Sequence, residues 1–200
     1  LNVVLDLGAN IECDENNLVD FAEMGSALYK SLYPNETSKV SLLNVGSEEI
    51  KGTEMLKGAY KKLNNLSKEN NFIFNGYCEG NTIMNGNSNV IVTDGFTGNI
   101  ALKTAEGTAF MVQSYFKRAF KSSLLSKLGY FFASLSLKTV RERLDPRVHN
   151  CGIFMGLSAP VIKCHGKSDR LGISYATDIA YSLVQKEVNK KVETILINEI

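Results

Sequence analysis

A strand-to-helix turn near the middle of the chain restricts the possible folds more than any other segment. The apolar run at residues 90–93 ends at a polar, glycine-rich turn, Asp94-Gly95-Phe96-Thr97-Gly98-Asn99. A long run with helical apolar spacing follows, so an aspartate stands at a strand end and backbone N–H groups open a helix. Parallel sheets bind phosphate and other anions in this way. Lys103 can add a positive charge, although a tight connection that binds nothing remains the alternative.

The same alternation recurs along the chain. Short apolar runs that end in polar or glycine-rich loops predict strands at residues 3–6, 40–44, 72–74, 90–93 and 161–163. Segments with helical spacing separate them, at residues 18–33 and 53–67, from Asn99 onward, and in one last helix after Ser168. This order predicts an α/β fold with αβα layers and a mostly parallel sheet. Because ligands bind beyond the carboxyl ends of such strands, the five strand-end loops are expected to form one site.

Composition excludes several classes of function. The length of 200 residues suggests one domain, or one and a half, and a composition that is 44% hydrophobic and 22% charged is ordinary for a soluble globular protein. The net charge of +1 gives no field that attracts nucleic acid. With two histidines and four scattered cysteines, a multi-histidine zinc site is not expected, and the thiols read as reduced in a cytosolic protein. Leu1 opens the chain just before a strand, so we expect the C-terminal part of a longer protein.

Residues 117–143 differ in character from the rest. They hold one acid, Glu142, against a set of bases: Lys117, Arg118, Lys121, Lys127, Lys138, Arg141 and Arg143. Between the bases lie apolar side chains, several at helical spacing: Leu124, Leu128, Phe131, Phe132 and Leu135. A basic amphipathic helix of this kind can lie in a membrane interface. The alternative is a helical hairpin that packs on its own core or on a second subunit.

Several stretches together point to a known family. They are residues 5–10, 21–25 and 42–46, then Glu48, Lys51 and Gly52, Glu79-Gly80, residues 94–99 with Leu102 and Lys103, Glu106-Gly107, and His165-Gly166 with Ser168. In order and spacing, over nearly the whole chain, they resemble the bacterial acyl-acyl-carrier-protein:phosphate acyltransferases of phospholipid synthesis. The family's N-terminal part, which carries a glycine- and aspartate-bearing loop of its own, is absent from this sequence.

The resemblance implies transfer of a long-chain acyl group from acyl carrier protein to inorganic phosphate. A membrane acyltransferase then uses the acyl phosphate to acylate glycerol 3-phosphate. The family is similar in fold to the isocitrate and isopropylmalate dehydrogenases, is typically homodimeric, and works in the cytoplasm in peripheral contact with the anionic inner face of the membrane. No metal or organic cofactor is implied, because the thioester already activates the acyl group.

The resemblance and the loop chemistry together suggest roles for individual residues. We expect the catalytic residues to be Lys51, Asn99 and His165, with Lys51 and Asn99 as donors to phosphate or the developing oxyanion and His165 as a proton donor. The backbone N–H groups after Gly98 would join Asn99. The expected substrate-binding residues are Asn10, Asn44, Gly46, Glu48, Glu79, Asp94, Gly95, Thr97, Gly98 and Lys103. We expect the acyl chain or membrane to contact Leu124, Leu128, Phe131, Phe132 and Leu135.

Each role has a plainer alternative. Lys51 could be a surface lysine near a helix start, although the helix dipole disfavours a lysine there, which favours the functional role. The alternative for Asn99 is a helix N-cap, and that for His165 is a structural histidine. Acyl carrier protein is acidic, so its candidate docking charges are Lys117, Arg118, Lys121, Arg141 and Arg143. Other functions consistent with the sequence are a phosphate acetyl- or butyryltransferase that uses coenzyme A and a non-catalytic membrane-surface scaffold. A nicotinamide-dependent dehydrogenase is disfavoured, because no G-x-G-x-x-G follows a strand.

Overall fold

Strands and helices alternate in the computed structural model, as the sequence predicts. The structure describes residues 2–68, 72–143, 151–166 and 168–199. The strands are β1 (Val3–Leu5), β2 (Ser38–Leu43), β3 (Phe72–Cys78), β4 (Val90–Val92), β5 (Cys151–Phe154) and β6 (Val161–Cys164). The helices are α1 (Glu15–Leu32), α2 (Glu54–Leu66), α3 (Gly95–Lys121), α4 (Leu124–Arg143), α5 (Arg170–Gln185) and α6 (Val188–Glu199).

The main sheet has four parallel strands in the order β1-β4-β2-β3, which confirms the α/β class with a mostly parallel sheet. Val92 of β4 lies opposite both Leu5 of β1 and Leu42 of β2. Because β4 is an interior strand, all three of its residues are buried, and its sequence is continuously apolar. The parallel direction places the carboxyl ends of all four strands at one edge of the sheet.

The fifth predicted strand does not join this sheet. β6 pairs with β5 in a separate two-stranded sheet, so the loop that begins at His165 does not leave the edge shared by the other four. A short apolar run looks the same whichever strand it pairs with. Here a partner only a few residues away in sequence is available, and a short loop closes at a small cost in entropy.

Two compact units divide the described residues. The first comprises those within 1–101, 154–161 and 181–200, and the second those within 102–153 and 162–180. The core of the first unit packs α1 and α2 against the sheet, with fully buried Leu18, Ala22, Val40, Leu42 and Leu63. That both units act as one catalytic domain stays a prediction.

The predicted start of α3 and the predicted last helix are both wrong, and one helix signal is confirmed. Helix α3 begins at Gly95, not at Asn99, because the Asp94 carboxylate accepts the Thr97 N–H at 2.8 Å and caps the helix. The prediction of a single last helix is wrong, since α5 and α6 are separated at Glu187, where φ is +50°. Thr53 caps α2 as predicted, with its hydroxyl accepting the Leu56 N–H.

Candidate active site

The loop after β1 is organised around a buried carboxylate. Asp6 accepts the backbone N–H groups of Gly8, Ala9 and Asn10 at 2.5–2.9 Å and the Asn10 side-chain amide at 2.9 Å. Burial alone would disfavour the charged form, but these hydrogen bonds outweigh it and lower the pKa of Asp6 below its usual value. Asp6 is therefore ionised at neutral pH, and its charge sits where a bound anion would otherwise use the same N–H groups.

Helix α3 is attached directly to this loop. The Gly95 N–H donates to the Asn10 carbonyl at 2.9 Å, and the Asn99 side-chain amide donates to the Leu7 carbonyl at 3.0 Å. Gly98 lies so close to the Asp6 carbonyl oxygen that a Cβ atom would collide with it. The interpretation of Asn99 as a helix N-cap is wrong, because it lies within the first turns of α3 and holds the β1 loop.

The start of α3 is less open to an anion than the sequence suggests. The N–H groups after Gly98 lie inside the helix, because α3 begins at Gly95. In the first turn, the N–H of Thr97 donates to the Asp94 carboxylate, and that of Gly98 donates to the Asp94 carbonyl at 2.9 Å. The expectation that these amides stand free for phosphate is therefore wrong, and the positive charge of a lysine becomes the more important attraction.

The loop after β2 forms a second, self-contained turn. The buried Asn44 donates from its side-chain amide to the Lys51 carbonyl at 3.1 Å and accepts the Val45 N–H at 2.8 Å. Gly52 closes the turn with φ of +93°, where a Cβ atom would lie 2.6 Å from the Asn44 amide oxygen. Asn44 therefore fixes both ends of the loop that presents Lys51.

Lys51 is half-exposed and carries its charge next to two acids. Its Nζ lies 2.8 Å from Glu48 Oε1, and this ion pair crosses over Gly46, where a Cβ atom would meet both side chains. The hydrogen bond to Glu48 raises the pKa of Lys51, burial opposes this, and the charges of Glu48 and Glu79 raise it further. Lys51 is consequently protonated at neutral pH and suits electrostatic stabilisation of an anion, not proton abstraction.

The strand register brings these loops to neighbouring positions. Asn44 and Asp94 each lie two residues beyond the opposed pair Leu42 and Val92, and Glu79 follows the opposed pair Leu43 and Cys78. Adjacent strands are about 4.8 Å apart. Because β4 lies between β1 and β2, the loops that carry Asn10, Asn44 and Asp94 share one edge of the sheet.

Comparison of the sequence with known proteins assigns the chain to a family. The sequence profile described as "Fatty acid synthesis protein" matches residues 1–191. The chain belongs to the fatty acid synthesis protein family. It is 52% identical over 192 residues to "Phosphate acyltransferase" of Pelagibacter ubique (strain HTCC1062), covering 96% of this chain and 57% of that protein.

Further relatives of the same printed name are similar in extent. The protein of Rhodospirillum centenum (strain ATCC 51521 / SW) is 47% identical over 96% of this chain and 53% of its own length. That of Paramagnetospirillum magneticum (strain ATCC 700264 / AMB-1) is 44% identical over 95% and 54%. The chain thus spans about half the length of the curated relatives it matches, and the family resemblance inferred from the sequence is confirmed.

Two predicted site residues belong to the second unit. Lys103 is on α3 in the second unit and pairs with Glu106 at 2.7 Å. His165 directly follows β6, also in the second unit, and its carbonyl accepts the Ser168 N–H at 2.9 Å. That either residue meets Lys51 stays a prediction. Two open pockets of the first unit lie at the amino-terminal edge of the sheet, beside Glu36 and Ile73. This edge is opposite to the one that carries Lys51, and none of the predicted site residues lines either pocket.

The predicted apolar contact residues lie on α4 and are exposed to solvent. Leu124 and Leu135 retain more than four-fifths of their maximal exposure, at 84% and 81%. Phe131, Phe132 and Leu128 are also exposed. They therefore do not pack on a core of their own within one chain. The candidate docking side chains of Arg141 and Arg143 fall outside the described residues.

Sequence reasoning missed two residues at the β1 edge. Asp6 lay in a recognised stretch but was given no role, although an acid directly after a strand and before Gly8 and Asn10 is a detectable signal. Cys13 places its thiol 3.4 Å from the Asn10 carbonyl. Burial raises the pKa of Cys13, the Gly95 N–H partly opposes this, and the charges of Asp6 and Asp94 raise it further, so Cys13 is a thiol and not a nucleophilic thiolate at neutral pH. Among the described residues, no cluster of three metal-ligating side chains occurs.

Proposed function

We propose that this chain is part of a phosphate acyltransferase that moves a long-chain acyl group from acyl carrier protein to inorganic phosphate. The observation that carries the proposal is Lys51, which pairs with Glu48 on a loop that Asn44 holds at the same sheet edge as the Asn10 and Asp94 loops, in a chain whose relatives are named phosphate acyltransferases. Phosphate is the nucleophile in this reaction, so the protein needs to hold and orient an anion without supplying a nucleophilic side chain.

The proposed reaction uses the charge of Lys51 in two ways. Without substrate, the Lys51 ammonium group is paired with the Glu48 carboxylate. When phosphate binds, it replaces Glu48 as the partner of this ammonium group. A phosphate oxygen then attacks the thioester carbonyl carbon, the new C–O bond forms, and the C–S bond breaks as the thiolate leaves. Lys51 stabilises the negative charge that develops on the oxygens, and His165 supplies a proton to the leaving sulfur.

The asparagines have supporting roles in this proposal. Asn44 fixes the Lys51 loop, whereas Asn99 and Asn10 hold the β1 loop against α3. Glu79 contributes charge that keeps Lys51 protonated. Gly46 would contact substrate through its backbone on the Lys51 loop, and Thr97 through its side-chain hydroxyl at the start of α3, because the Gly95 and Thr97 N–H groups already donate within the chain.

The proposed partners are inferred from basic and apolar side chains of the second unit. Acyl carrier protein is acidic, and Lys117, Arg118 and Lys121 lie at the end of α3 where they can attract it. The exposed apolar side chains of α4 would receive the acyl chain, the surface of an anionic membrane or a second copy of the chain. The acyl phosphate product would pass to a membrane acyltransferase. No helix of the described residues is long and apolar enough to cross a bilayer.

Phosphate-dependent loss of a palmitoyl-acyl-carrier-protein thioester, followed with the complete protein, tests the proposal. Lys51→Ala should lower kcat by about 10²- to 10³-fold, as loss of one oxyanion donor does elsewhere. The matched control is Lys57→Ala, because Lys57 also forms an ion pair three residues along the chain, with Glu54 at 2.9 Å, but lies on α2. This control should leave the rate unchanged.

Three results would contradict the proposal. An unchanged rate in Lys51→Ala would remove this residue from the reaction. Thioester loss that does not depend on phosphate would exclude phosphate as the acceptor. Turnover of short acyl-coenzyme A in place of the carrier-protein thioester would favour the acetyl- or butyryltransferase alternative.

A further inference from the structure

Two cysteines that the proposed reaction does not use lie next to each other in the second unit. Cys151 opens β5 and Cys164 closes β6, and these strands are hydrogen-bonded neighbours. Both side chains are half-buried and free of disulfide bonds. The cysteines are 13 positions apart in sequence, so only their pairing in the fold brings them together.

The connection between the strands determines how they run. Residues 155–160 link β5 to β6, and parallel neighbours need a crossover of about a dozen residues or more, so this pair is antiparallel. With strands of four residues each, the first residue of β5 then faces the last residue of β6. The Cys151 thiol lies within hydrogen-bonding reach of Cys164, in agreement with this register.

Opposed residues of antiparallel strands have the spacing that a disulfide requires. Their Cα atoms are about 4.5–5.5 Å apart, and disulfides span Cα separations of about 4.4–6.8 Å. Side chains of an opposed pair also leave the sheet on the same face. The bond can therefore form here without separating the strands.

We propose that Cys151 and Cys164 are a redox modification site, at which a hydroperoxide produces a reversible cross-strand disulfide. In the first step one thiolate attacks a peroxide oxygen: an S–O bond forms, the O–O bond breaks, and the departing hydroxide takes up a proton and leaves as water, so that a sulfenic acid remains. The second thiolate then attacks that sulfur, an S–S bond forms, and the S–O bond breaks with release of water. Overall, two thiols and one hydrogen peroxide give one disulfide and two waters, and a dithiol reductant reverses the change.

The chemistry predicts a slow reaction at neutral pH. Burial, followed by the charge and the hydrogen bond of Cys164, raises the pKa of Cys151, so its reactive thiolate is scarce. The rate should therefore increase as the pH is raised from 7 to 9. Cys78 is an internal control, because burial raises its pKa to about 11 and it lies in β3 of the other unit.

The test treats the intact protein with hydrogen peroxide, blocks remaining thiols by alkylation, and identifies linked peptides by mass spectrometry. We expect one peptide pair joined through Cys151 and Cys164, alkylated Cys13 and Cys78, and full reversal by dithiothreitol. Amide hydrogen exchange in residues 151–164 should slow on oxidation. Cys151→Ser and Cys164→Ser should each abolish the linked peptide.

Other outcomes would overturn the proposal. Recovery of both thiols in alkylated form, after peroxide has oxidised exposed methionines, would show that the pair does not react. Linkage of either cysteine to Cys13 or Cys78, or irreversible sulfinic acid at both positions, would contradict the proposed register. Since the decisive measurement uses the unsubstituted protein, it does not depend on whether the serine variants fold, nor on the acyltransferase assay.

Discussion

At the scale of single residues, Asp6 combines burial with charge. Four hydrogen bonds to its carboxylate fold the β1 loop, and they lower its pKa in the folded chain. A group whose pKa is lowered by folding stabilises the protein above its unfolded pKa, about 3.9 for aspartate. That contribution is lost as the pH falls through the lower, folded pKa.

Asp6→Asn should therefore lower the free energy of unfolding at pH 7 by about 1–3 kcal/mol, the range for hydrogen bonds to a charged group. The difference from the unsubstituted chain should shrink as the pH falls below 4. Urea unfolding at several pH values measures it. Asp20→Asn, at an exposed position of α1, is the control and should change stability by less than about 0.5 kcal/mol. A pH-independent difference would show that the charge of Asp6 contributes nothing.

Gly98 shows how one missing methyl group permits the contact between α3 and the β1 loop. A Cβ atom at Gly98 would collide with the Asp6 carbonyl oxygen and lie 2.8 Å from Thr93 Cγ2. Because a backbone atom cannot move aside cheaply, Gly98→Ala should destabilise the chain by about 1–3 kcal/mol. Gly107→Ala is the matched control on the same helix, because its Cβ atom would meet nothing within 4 Å.

The control should be neutral or stabilising by up to about 1 kcal/mol, since alanine favours helices. Thermal unfolding of the two variants measures both effects. Equal stability of Gly98→Ala and Gly107→Ala would mean that α3 can shift away from the β1 loop at no cost.

At the scale of elements, the break between α5 and α6 depends on one strained residue. Glu187 has φ of +50°, which costs a residue with a Cβ atom roughly 1 kcal/mol. Glu187→Gly should therefore raise the free energy of unfolding by about that amount. Its 3.9 Å ion pair with Lys190 is exposed and offsets little of this gain.

Glu193→Gly in the interior of α6 is the control, and it should lower stability by about 1 kcal/mol. Urea unfolding of both variants distinguishes a strained break from an ordinary helical position. Destabilisation by both substitutions to a similar degree would indicate that α5 and α6 form one continuous helix in solution.

At the scale of the whole molecule, the exposed apolar side chains of α4 are expected to bind a membrane, an acyl chain or a second copy of the chain. We expect the basic residues around them to bind anionic vesicles, each contributing roughly 1 kcal/mol. We expect the unsubstituted protein to float with phosphatidylglycerol vesicles and not with neutral vesicles. The triple variant Lys121→Glu, Lys127→Glu and Lys138→Glu should float less with phosphatidylglycerol vesicles, and it should likewise not float with neutral ones. Charge reversal at Lys57, Lys61 and Lys68, in the first unit, is the matched control and should preserve flotation.

Unaltered flotation of the triple variant would contradict an electrostatic role for these lysines. If the protein floats on neither vesicle but sediments as a dimer, a second copy covers α4. Substituting Leu124, Phe131 and Leu135 by serine should then yield the monomer.

Much of the architecture follows from the sequence alone, because local pattern and propensity encode it. Apolar runs of a few residues predicted β1, β2 and β4, helical spacing predicted α1 and α2, and Thr53 marked a helix start. The quoted loop motifs also identified the family. These signals are contained in neighbouring residues, so they survive without knowledge of the fold.

Other features required the tertiary structure, because they depend on residues distant in sequence. An apolar run does not specify its partner, so the pairing of β6 with β5 was not foreseen. The hydrogen bond from the Asn99 side chain to the Leu7 carbonyl joins residues 92 positions apart, so no local pattern predicts it. The start of α3, by contrast, is set by the Asp94 cap on an N–H three residues away, a local signal that sequence reasoning overlooked. The close approach of Gly98 to the Asp6 carbonyl exists only in the folded chain, because it joins segments distant in sequence.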